Sequence, residues 1–218
     1  MKDNDIDLFL RLNNKYNTEF TNNLYNNKHI FTEIYNSCDK KFHVGSGSYL
    51  FDGQKYEYCD LMYEKQELLY NSVKNINSVL EIGTYMGHSL LIMLLSNPNL
   101  KITCIDINNI YTAPAVNVLN KYFHNRITFI HGDSLTELPK LKIKFDFFHI
   151  DGHHDNNLIH KEFNYVYNLN NNPNILKIIF DDENCLRPLQ KIIKENYNIV
   201  KEIKPTCSYA NIYFEIKI

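Results

Sequence analysis

The stretch that decides the fold is VLEIGTYMGHSLLIML, from Val79 to Leu94. It opens as an apolar run with the length and composition of a buried parallel strand, and it breaks at Gly83 and Gly87. From His88 onwards it has the residue types of a helix packed on a sheet. Strand, glycine turn and helix form a unit that binds nucleotide-like ligands, because glycines allow close backbone approach and the helix start offers free N–H groups.

The spacing of this turn is G-x-x-x-G, and the strand that leads into it carries the acidic residue Glu81. A dinucleotide site needs G-x-G-x-x-G, and a carboxylate at this position would repel a pyrophosphate. A ligand with a cationic amine and hydroxyl groups suits the carboxylate better. A tight turn that binds no ligand is the alternative interpretation, since the spacing alone is a weak signal.

Composition bounds the class of protein. The chain has 218 residues, of which 44% are hydrophobic, enough for one α/β domain with a buried core. A net charge of −2 gives no electrostatic case for nucleic acid or an anionic membrane. The acidic N-terminus does not resemble a signal peptide, and the longest apolar stretch, residues 90–95, is too short to span a bilayer. Five scattered cysteines without a C-x-x-C motif indicate neither a disulfide framework nor a zinc site, so we expect a cytoplasmic setting.

Apolar and β-branched runs alternate with helical segments along the chain. This alternation predicts a Rossmann-like, doubly wound α/β fold with a mostly parallel seven-stranded sheet. The predicted strands cover residues 78–82, 101–106, 126–131, 145–150, 175–180, 199–203 and 211–216. The last two strands are expected to form an antiparallel hairpin at one edge of the sheet.

Residues 1–60 are expected to form an N-terminal helical or lid extension, and residues 61–218 the main domain. The first 40 residues predict one or two helices that cover the sheet edge, pair with another subunit or roof the substrate site. The glycine- and serine-rich segment 43–48 is either a plain loop or a mobile lid.

Acidic residues follow several of the predicted strands. Asp106 ends the second strand, about two dozen residues beyond the glycine turn, where a carboxylate can grip two ribose hydroxyls. Asp151 ends the fourth strand, and Asp181 and Asp182 end the fifth. Three converging carboxylates would repel one another unless a cation such as Mg²⁺ or Mn²⁺ lay between them. Helix caps and solvated loop acids are the alternative interpretation.

The segment from Glu81 to Ser89 resembles motif I of the class I S-adenosylmethionine-dependent methyltransferases. It is especially similar to the E-x-G-x-Y-x-G-x-S pattern of catechol O-methyltransferase and its relatives. The resemblance implies that S-adenosylmethionine is the cofactor. The implied cofactor-binding residues are Glu81, Gly83, Thr84, Tyr85, Gly87, Ser89, Asp106, Asp133 and Ser134. For Asp133 and Ser134 the start of a helix is an equally good interpretation.

A second resemblance concerns metal-dependent O-methyltransferases that act on catechols and caffeoyl-CoA. Asp151 and Asp181 match their metal-binding aspartates, and Asp182 stands where they carry asparagine. Three residues after Asp151, where the catechol enzyme has its lysine base, this chain has His154. The Asp-Gly-x-His pattern is similar to sugar O-methyltransferases of the macrocin and mycinamicin type. This resemblance implies a metal at the three aspartates and His154 as catalytic base beside Asp151, with His153 left open as the alternative base.

These patterns together predict a divalent-metal-dependent O-methyltransferase for a small-molecule hydroxyl, with a sugar or nucleotide sugar preferred over a catechol. A catalytically silent, methyltransferase-like binding subunit is a rival, and a dehydrogenase would need a glycine pattern that is absent. The expected partner is a sugar-like acceptor, without nucleic acid or membrane. A homo-oligomer is left open.

Overall fold

The structure is a computed structural model, and it describes residues 4–153, 155–183, 186–207 and 209–218, without the side chains of residues 4–7. A seven-stranded sheet lies between two layers of helices. The strands are β1 Ser78–Ile82, β2 Lys101–Asp106, β3 Ile127–His131, β4 Phe147–Ile150, β5 Ile175–Phe180, β6 Asn198–Ile203 and β7 Ile212–Lys217. The helices are α1 Asn4–Tyr16, α2 Glu19–Asn26, α3 Lys28–Ser37, α4 Tyr63–Ser72, α5 His88–Ser96, α6 Asn109–Tyr122, α7 Ser134–Glu137, α8 Asn156–Asn168 and α9 Arg187–Asn196.

The strand order is β3-β2-β1-β4-β5-β7-β6. The first five strands in this order run parallel, whereas β7 pairs antiparallel with both β5 and β6. This arrangement confirms the predicted mostly parallel, doubly wound sheet with an antiparallel C-terminal hairpin at one edge. The chain order reverses between β1 and β4, which is where ligands bind in open sheets of this kind.

Each face of the sheet has its own hydrophobic core. One core packs the N-terminal helices and α4 to α6 on one face, and the other packs α8 and α9 on the opposite face. Residues 88–94 of α5 are all buried, because α2 and α4 cover the side that turns away from the sheet. This burial explains why the helix is apolar on every side.

The first 40 residues form three helices in the described part of the chain, not the predicted one or two. Asn17 ends the first helix with a left-handed φ of 45°, and the Thr18 side chain caps the second by accepting from the Thr21 backbone N–H. The third helix follows directly after Asn27. These helices share the core of α5 and α6, and the domain boundary at residue 60 stays a prediction.

Short 3₁₀ turns adjoin two of the helices. α7 is followed by a 3₁₀ turn at Leu138–Lys140, where Pro139 lacks the backbone N–H that an α-helix needs. Another 3₁₀ turn, Asp60–Met62, precedes α4. Across the described ranges, each helix is too short or too polar to cross a membrane.

Candidate active site

The carboxyl ends of four neighbouring strands lie in one row of the sheet. Ile82 of β1 pairs with both Ile105 of β2 and Ile150 of β4, and Ile150 pairs with Phe180 of β5. The residues that follow these four in the chain are Gly83, Asp106, Asp151 and Asp181. The structure therefore brings these predicted site residues to the same edge, at the point where the strand order reverses.

The glycine turn between β1 and α5 is held against the end of β4. Gly83 has a φ of +80°, and a Cβ atom there would lie 2.1 Å from the carbonyl oxygen of Asp151. Gly87 has a φ of +71° and directly precedes α5, in whose first turn Ser89 is buried. Glycine is thus required at Gly83 both for the left-handed backbone and for the close approach of two backbone segments.

Asp106, the predicted ribose-binding residue, organises the glycine turn. Its Oδ2 accepts from the backbone N–H groups of Thr84, at 2.8 Å, and Tyr85, at 2.7 Å, and from the Thr112 hydroxyl at 3.1 Å. Its Oδ1 accepts from the Asn108 backbone N–H at 2.8 Å. Asp106 therefore shapes the turn, and Oδ1 keeps a lone pair for a further donor. Its contact with a ribose stays a prediction.

Glu81 lies beneath the turn and is fully buried. One carboxylate oxygen accepts from the Thr84 hydroxyl at 2.8 Å, and the other lies 2.9 Å from Nδ1 of His149. Nε2 of His149 lies 2.8 Å from the Tyr49 hydroxyl, which also accepts from the Asn211 side chain. Glu81 thus supports the turn from inside the protein through a buried polar network, and direct contact with the cofactor stays a prediction.

The predicted metal aspartates lie next to a lysine. Lys65, on α4, donates from Nζ to Oδ2 of Asp181 at 2.8 Å, and only 4% and 7% of the two side chains are exposed. The same ammonium lies 4.4 Å from the centre of the Tyr49 ring. Asp151 and Asp182 line the same cavity as this ion pair. A positive charge thus already lies among the carboxylates that the sequence predicts to bind a metal.

Burial and the ion pair set the protonation of this group. Burial opposes the charge of Lys65, but the attraction of Asp181 and Asp151 outweighs it and raises the lysine pKa. Burial also opposes ionisation of Asp181, but the Lys65 ammonium outweighs it and lowers the pKa of that carboxyl. Burial and the neighbouring Asp181 raise the pKa of Asp151 well above its usual range. The group is therefore a lysine–aspartate ion pair beside a second carboxyl that resists ionisation.

A cavity of about 510 Å³ opens at these strand ends. Its wall combines polar and apolar surface in about equal parts and comes from the glycine turn, the strand ends and the segment 43–54. Its polar lining includes His43, Ser46, Ser48, Asp52, Gln54, Lys65, Thr84, Asn108, Asp151, Asp181 and Asp182. Phe51, Met62, Tyr85 and Tyr209 add apolar surface. A ligand with several hydroxyl groups would find many hydrogen-bond partners here.

The glycine- and serine-rich segment forms part of this wall. It is anchored by Tyr49, Leu50 and Phe51, which are buried, and by a 2.9 Å hydrogen bond from the Gly45 N–H to the Gly53 carbonyl. Its residues 45–48 face the cavity. The segment therefore lines the cavity, and its role as a lid stays a prediction.

Asp133 and Ser134, predicted near the adenine, start helix α7. The Asp133 side chain accepts from the Thr136 backbone N–H, so it is the cap of this helix. The Ser134 hydroxyl donates to Oε1 of Glu162 at 2.5 Å. Glu162 lies on α8 with 1% of its surface exposed, and burial raises its pKa to about 7.

Replacing Glu162 by glutamine is expected to flatten the pH dependence of stability. In the unfolded chain Glu162 ionises near its ordinary pKa of 4.5, whereas the folded protein keeps the proton up to a pH of about 7. Its contribution to stability is complete below the lower value and is lost as pH rises through the higher one, at a cost of about 3 kcal/mol. Urea unfolding at about pH 5 and about pH 8 should therefore show a larger loss for wild type than for Glu162→Gln. Equal losses in the two proteins would contradict the raised pKa.

The two histidines after β4 differ in what the structure describes. His153 is exposed, and its Nδ1 accepts from the Asp155 backbone N–H at 3.1 Å, so its ring faces its own loop. His154, the predicted base, lies outside the described residues. Its role stays a prediction from the sequence.

Residues 80–172 match the family model of a methyltransferase domain. The matched segment, which is less than half of the chain, is thus similar to a methyltransferase domain. The match spans the glycine turn, Asp106, Asp133 and Asp151, and it leaves Lys65 and Asp181 outside. The enzyme class predicted from the sequence is thereby confirmed.

Solved methyltransferase structures share the fold. A putative O-methyltransferase from Klebsiella pneumoniae is 14% identical, with a TM-score of 0.65 over 87% of this chain and 90% of that one. An O-methyltransferase from Bacillus cereus, in complex with SAH, is 15% identical, with a TM-score of 0.61 over 100% and 92%. The N-methyltransferase NodS from Bradyrhizobium japonicum WM9, in complex with S-adenosyl-L-homocysteine, is 12% identical, with a TM-score of 0.59 over 85% and 98%. A comparison with curated proteins found no match.

These likenesses establish the fold, which serves methyl transfer to oxygen and to nitrogen alike. The acceptor of this methyltransferase must therefore be inferred from its own cavity. Sequence reasoning missed Lys65, which lines that cavity, and the buried polar side chains Tyr49, His149 and Glu162. The histidine inside the apolar run Phe147–Ile150 was a usable signal, since a buried polar side chain needs a partner.

Proposed function

We propose that this methyltransferase transfers a methyl group from S-adenosylmethionine to a hydroxyl oxygen of a small, hydroxyl-rich acceptor. A sugar or nucleotide sugar is preferred over a catechol. The observation that carries the proposal is the cavity that adjoins both the glycine turn and the aspartates at the ends of β4 and β5 and that is lined by many hydrogen-bonding side chains. The serine, asparagine, glutamine and aspartate side chains in its lining suit an acceptor with several hydroxyl groups better than a flat aromatic ring.

The residues around the glycine turn fit the cofactor. Gly83, Thr84 and Tyr85 border the cavity, and Asp106 holds the turn open from below. When bound, S-adenosylmethionine supplies a methyl group on a positively charged sulfur.

Methyl transfer requires the chain to align the acceptor oxygen and to take its proton. The oxygen forms a bond to the methyl carbon while the carbon–sulfur bond breaks, and the electron pair of that bond goes to sulfur. The cavity walls hold the acceptor in line with the methyl group, which is worth several powers of ten in rate. The hydroxyl proton leaves to a base, for which His154 remains the predicted residue.

The predicted divalent metal does not fit the donors as they stand. Asp181, a predicted ligand, already binds the Lys65 ammonium at 2.8 Å. Within the described ranges, no group of three or more His, Cys, Asp or Glu side chains is arranged to hold a metal ion. No step of the proposed transfer is therefore assigned to a metal.

The remaining expectations about partners and location belong to the same proposal. The acceptor is a free small molecule, neither nucleic acid nor membrane is involved, and the setting is cytoplasmic. A homo-oligomer is compatible with each of these statements. The rival hypothesis is a catalytically silent subunit. Titration with S-adenosylhomocysteine separates this hypothesis from that of an enzyme.

Replacing Asp106 by alanine is expected to weaken binding of S-adenosylhomocysteine, the product of the transfer. The loss should be about 1.5–3 kcal/mol, or roughly 10- to 100-fold in Kd. The variant loses the hydrogen bonds that the Asp106 carboxylate accepts from the backbone of the glycine turn and those that it is predicted to accept from the ribose hydroxyls. Calorimetric titration of both proteins measures this difference. A wild type without binding heat would favour the silent subunit.

Asp146→Ala is the matched control for this titration. Asp146 lies at the opposite end of the sheet, where its carboxylate accepts from the backbone N–H and hydroxyl of Ser78. The Asp146→Ala variant loses a similar set of hydrogen bonds and should have a lower melting temperature than wild type. Its affinity for S-adenosylhomocysteine should stay at the wild-type value. An equal loss of affinity in both variants would mean that Asp106 acts only through stability.

A further inference from the structure

We infer that the Lys65 ammonium is the resident cation of the aspartate cluster, and that it binds the acceptor oxygen where metal-dependent enzymes place a divalent ion. The role toward the acceptor rests on the proposed function. The cation position rests only on the arrangement of side chains around Lys65.

The ammonium is paired with one carboxylate of the cluster. Nζ of Lys65 lies 2.8 Å from Oδ2 of Asp181, and both side chains are almost completely buried. Mg²⁺ binds carboxylate oxygens at about 2.0–2.1 Å, so an ion on Asp181 would lie within a few ångströms of the ammonium. Two positive centres at that distance repel strongly inside a protein. The lysine and a divalent ion therefore compete for the same carboxylate.

Lys65 is held in place by more than its ion pair. Its ammonium lies over the face of the Tyr49 ring, which attracts a cation. The Tyr49 hydroxyl is fixed by His149 and by Asn211, and the Asn211 side chain also donates to the Lys65 backbone carbonyl at 3.3 Å. Withdrawing the ammonium would leave Asp181 buried without its counter-charge, which is costly. These contacts favour the lysine as a permanent part of the site.

The ammonium also faces the place where the acceptor is proposed to bind. Lys65, Asp151 and Asp181 all line the cavity. A lysine ammonium has three donor hydrogens, and among the described residues the hydrogen bond found for it is the one to Asp181. A remaining hydrogen can donate to the acceptor oxygen and stabilise the negative charge that develops as its proton leaves. Removing such a donor typically lowers turnover by about 10²–10³-fold.

The test uses Mn²⁺ as the probe and follows its free signal by electron paramagnetic resonance, so it needs no acceptor. Wild type should bind Mn²⁺ at the cluster only weakly. Lys65→Gln, which removes the charge and keeps a similar length, should bind Mn²⁺ about tenfold more tightly or better. The double variant Lys65→Gln with Asp181→Asn should lose that gain. Lys74→Gln, which removes a half-exposed lysine paired with Glu19, is the control and should match wild type.

Tight Mn²⁺ binding by wild type that Asp181→Asn abolishes would overturn the inference, and this measurement needs no lysine variant to fold. Unchanged Mn²⁺ affinity in a folded Lys65→Gln protein would overturn it as well. The proposed function is judged separately by the titration with S-adenosylhomocysteine. If that ligand binds and wild type also binds Mn²⁺ tightly through Asp181, the inference fails while the proposed function stands.

Discussion

Gly83→Ala is expected to destabilise the protein by roughly 2–5 kcal/mol and to abolish cofactor binding. An alanine Cβ would lie 2.1 Å from the carbonyl oxygen and 2.4 Å from the carbonyl carbon of Asp151, so two backbone segments must separate. The φ of +80° adds strain for any residue with a side chain. Both the steric clash and the backbone strain act where the glycine turn meets Asp151 at the end of β4. Urea unfolding and titration with S-adenosylhomocysteine measure the two effects.

Gly87→Ala is the matched control. Its φ of +71° imposes a similar backbone strain, but its new Cβ would meet only side chains, Ala115 and Leu119, each at 3.3 Å. Side chains can shift by a few tenths of an ångström, so the cost should be about 1–2 kcal/mol. The account requires the larger loss at Gly83. A Gly83→Ala protein that melts and binds like wild type would contradict the close approach of the turn to Asp151.

His154→Ala is expected to lower turnover by about 10²–10⁴-fold, the usual contribution of a positioned base. The affinity for S-adenosylhomocysteine should change little, because the imidazole acts on the acceptor. Turnover of the wild type should rise with pH through the titration of a histidine, whose unperturbed pKa is about 6.5. Steady-state kinetics on the acceptor that proves active measures both effects.

His153→Ala is the control for this experiment, because the His153 ring is exposed and accepts a hydrogen bond within its own loop. Its turnover should remain near the wild-type rate. If His153→Ala loses turnover while His154→Ala keeps it, the base has been assigned to the wrong residue. If both variants are fully active, neither histidine is the base.

The row of functional strand ends could be predicted from the sequence because it depends on local patterns. Buried parallel strands are short apolar runs, and the residue after each run must lie at the carboxyl edge of the sheet. Gly83, Asp106, Asp151 and Asp181 were placed by this rule alone, and the strand pairing puts them side by side. The antiparallel hairpin at the edge followed from the same alternation.

The lysine in the cluster could not be predicted in this way. Lys65 lies on α4 between two polar neighbours, Glu64 and Gln66, and lysine is normally exposed. Its burial depends on Asp181, which is 116 positions away in the chain. Three aspartates without a visible cation suggested a metal, and the structure adds a buried ammonium from another helix, paired with Asp181. Periodicity within one segment carries no information about such a long-range pair.

The buried network under the turn was missed for a similar reason. Glu81 attracted attention as a ligand for the cofactor, yet its oxygens bind Thr84 and His149 in the structure. The network continues to Tyr49, which directly follows the predicted loop segment 43–48. A single sequence shows which polar residues need partners but not which distant residues supply them.

The most direct test of the central claim is methyl transfer itself. The wild-type protein is incubated with methyl-labelled S-adenosylmethionine and a panel of sugars, nucleotide sugars and catechols. Mass spectrometry then shows which compound has gained a methyl group and on which atom the label lies. The account predicts that a hydroxyl-rich acceptor gains one methyl group on oxygen, with one S-adenosylhomocysteine formed per transfer, in the presence of a chelator. A label found on nitrogen or carbon, or transfer that stops in the chelator and resumes with Mg²⁺, would contradict it.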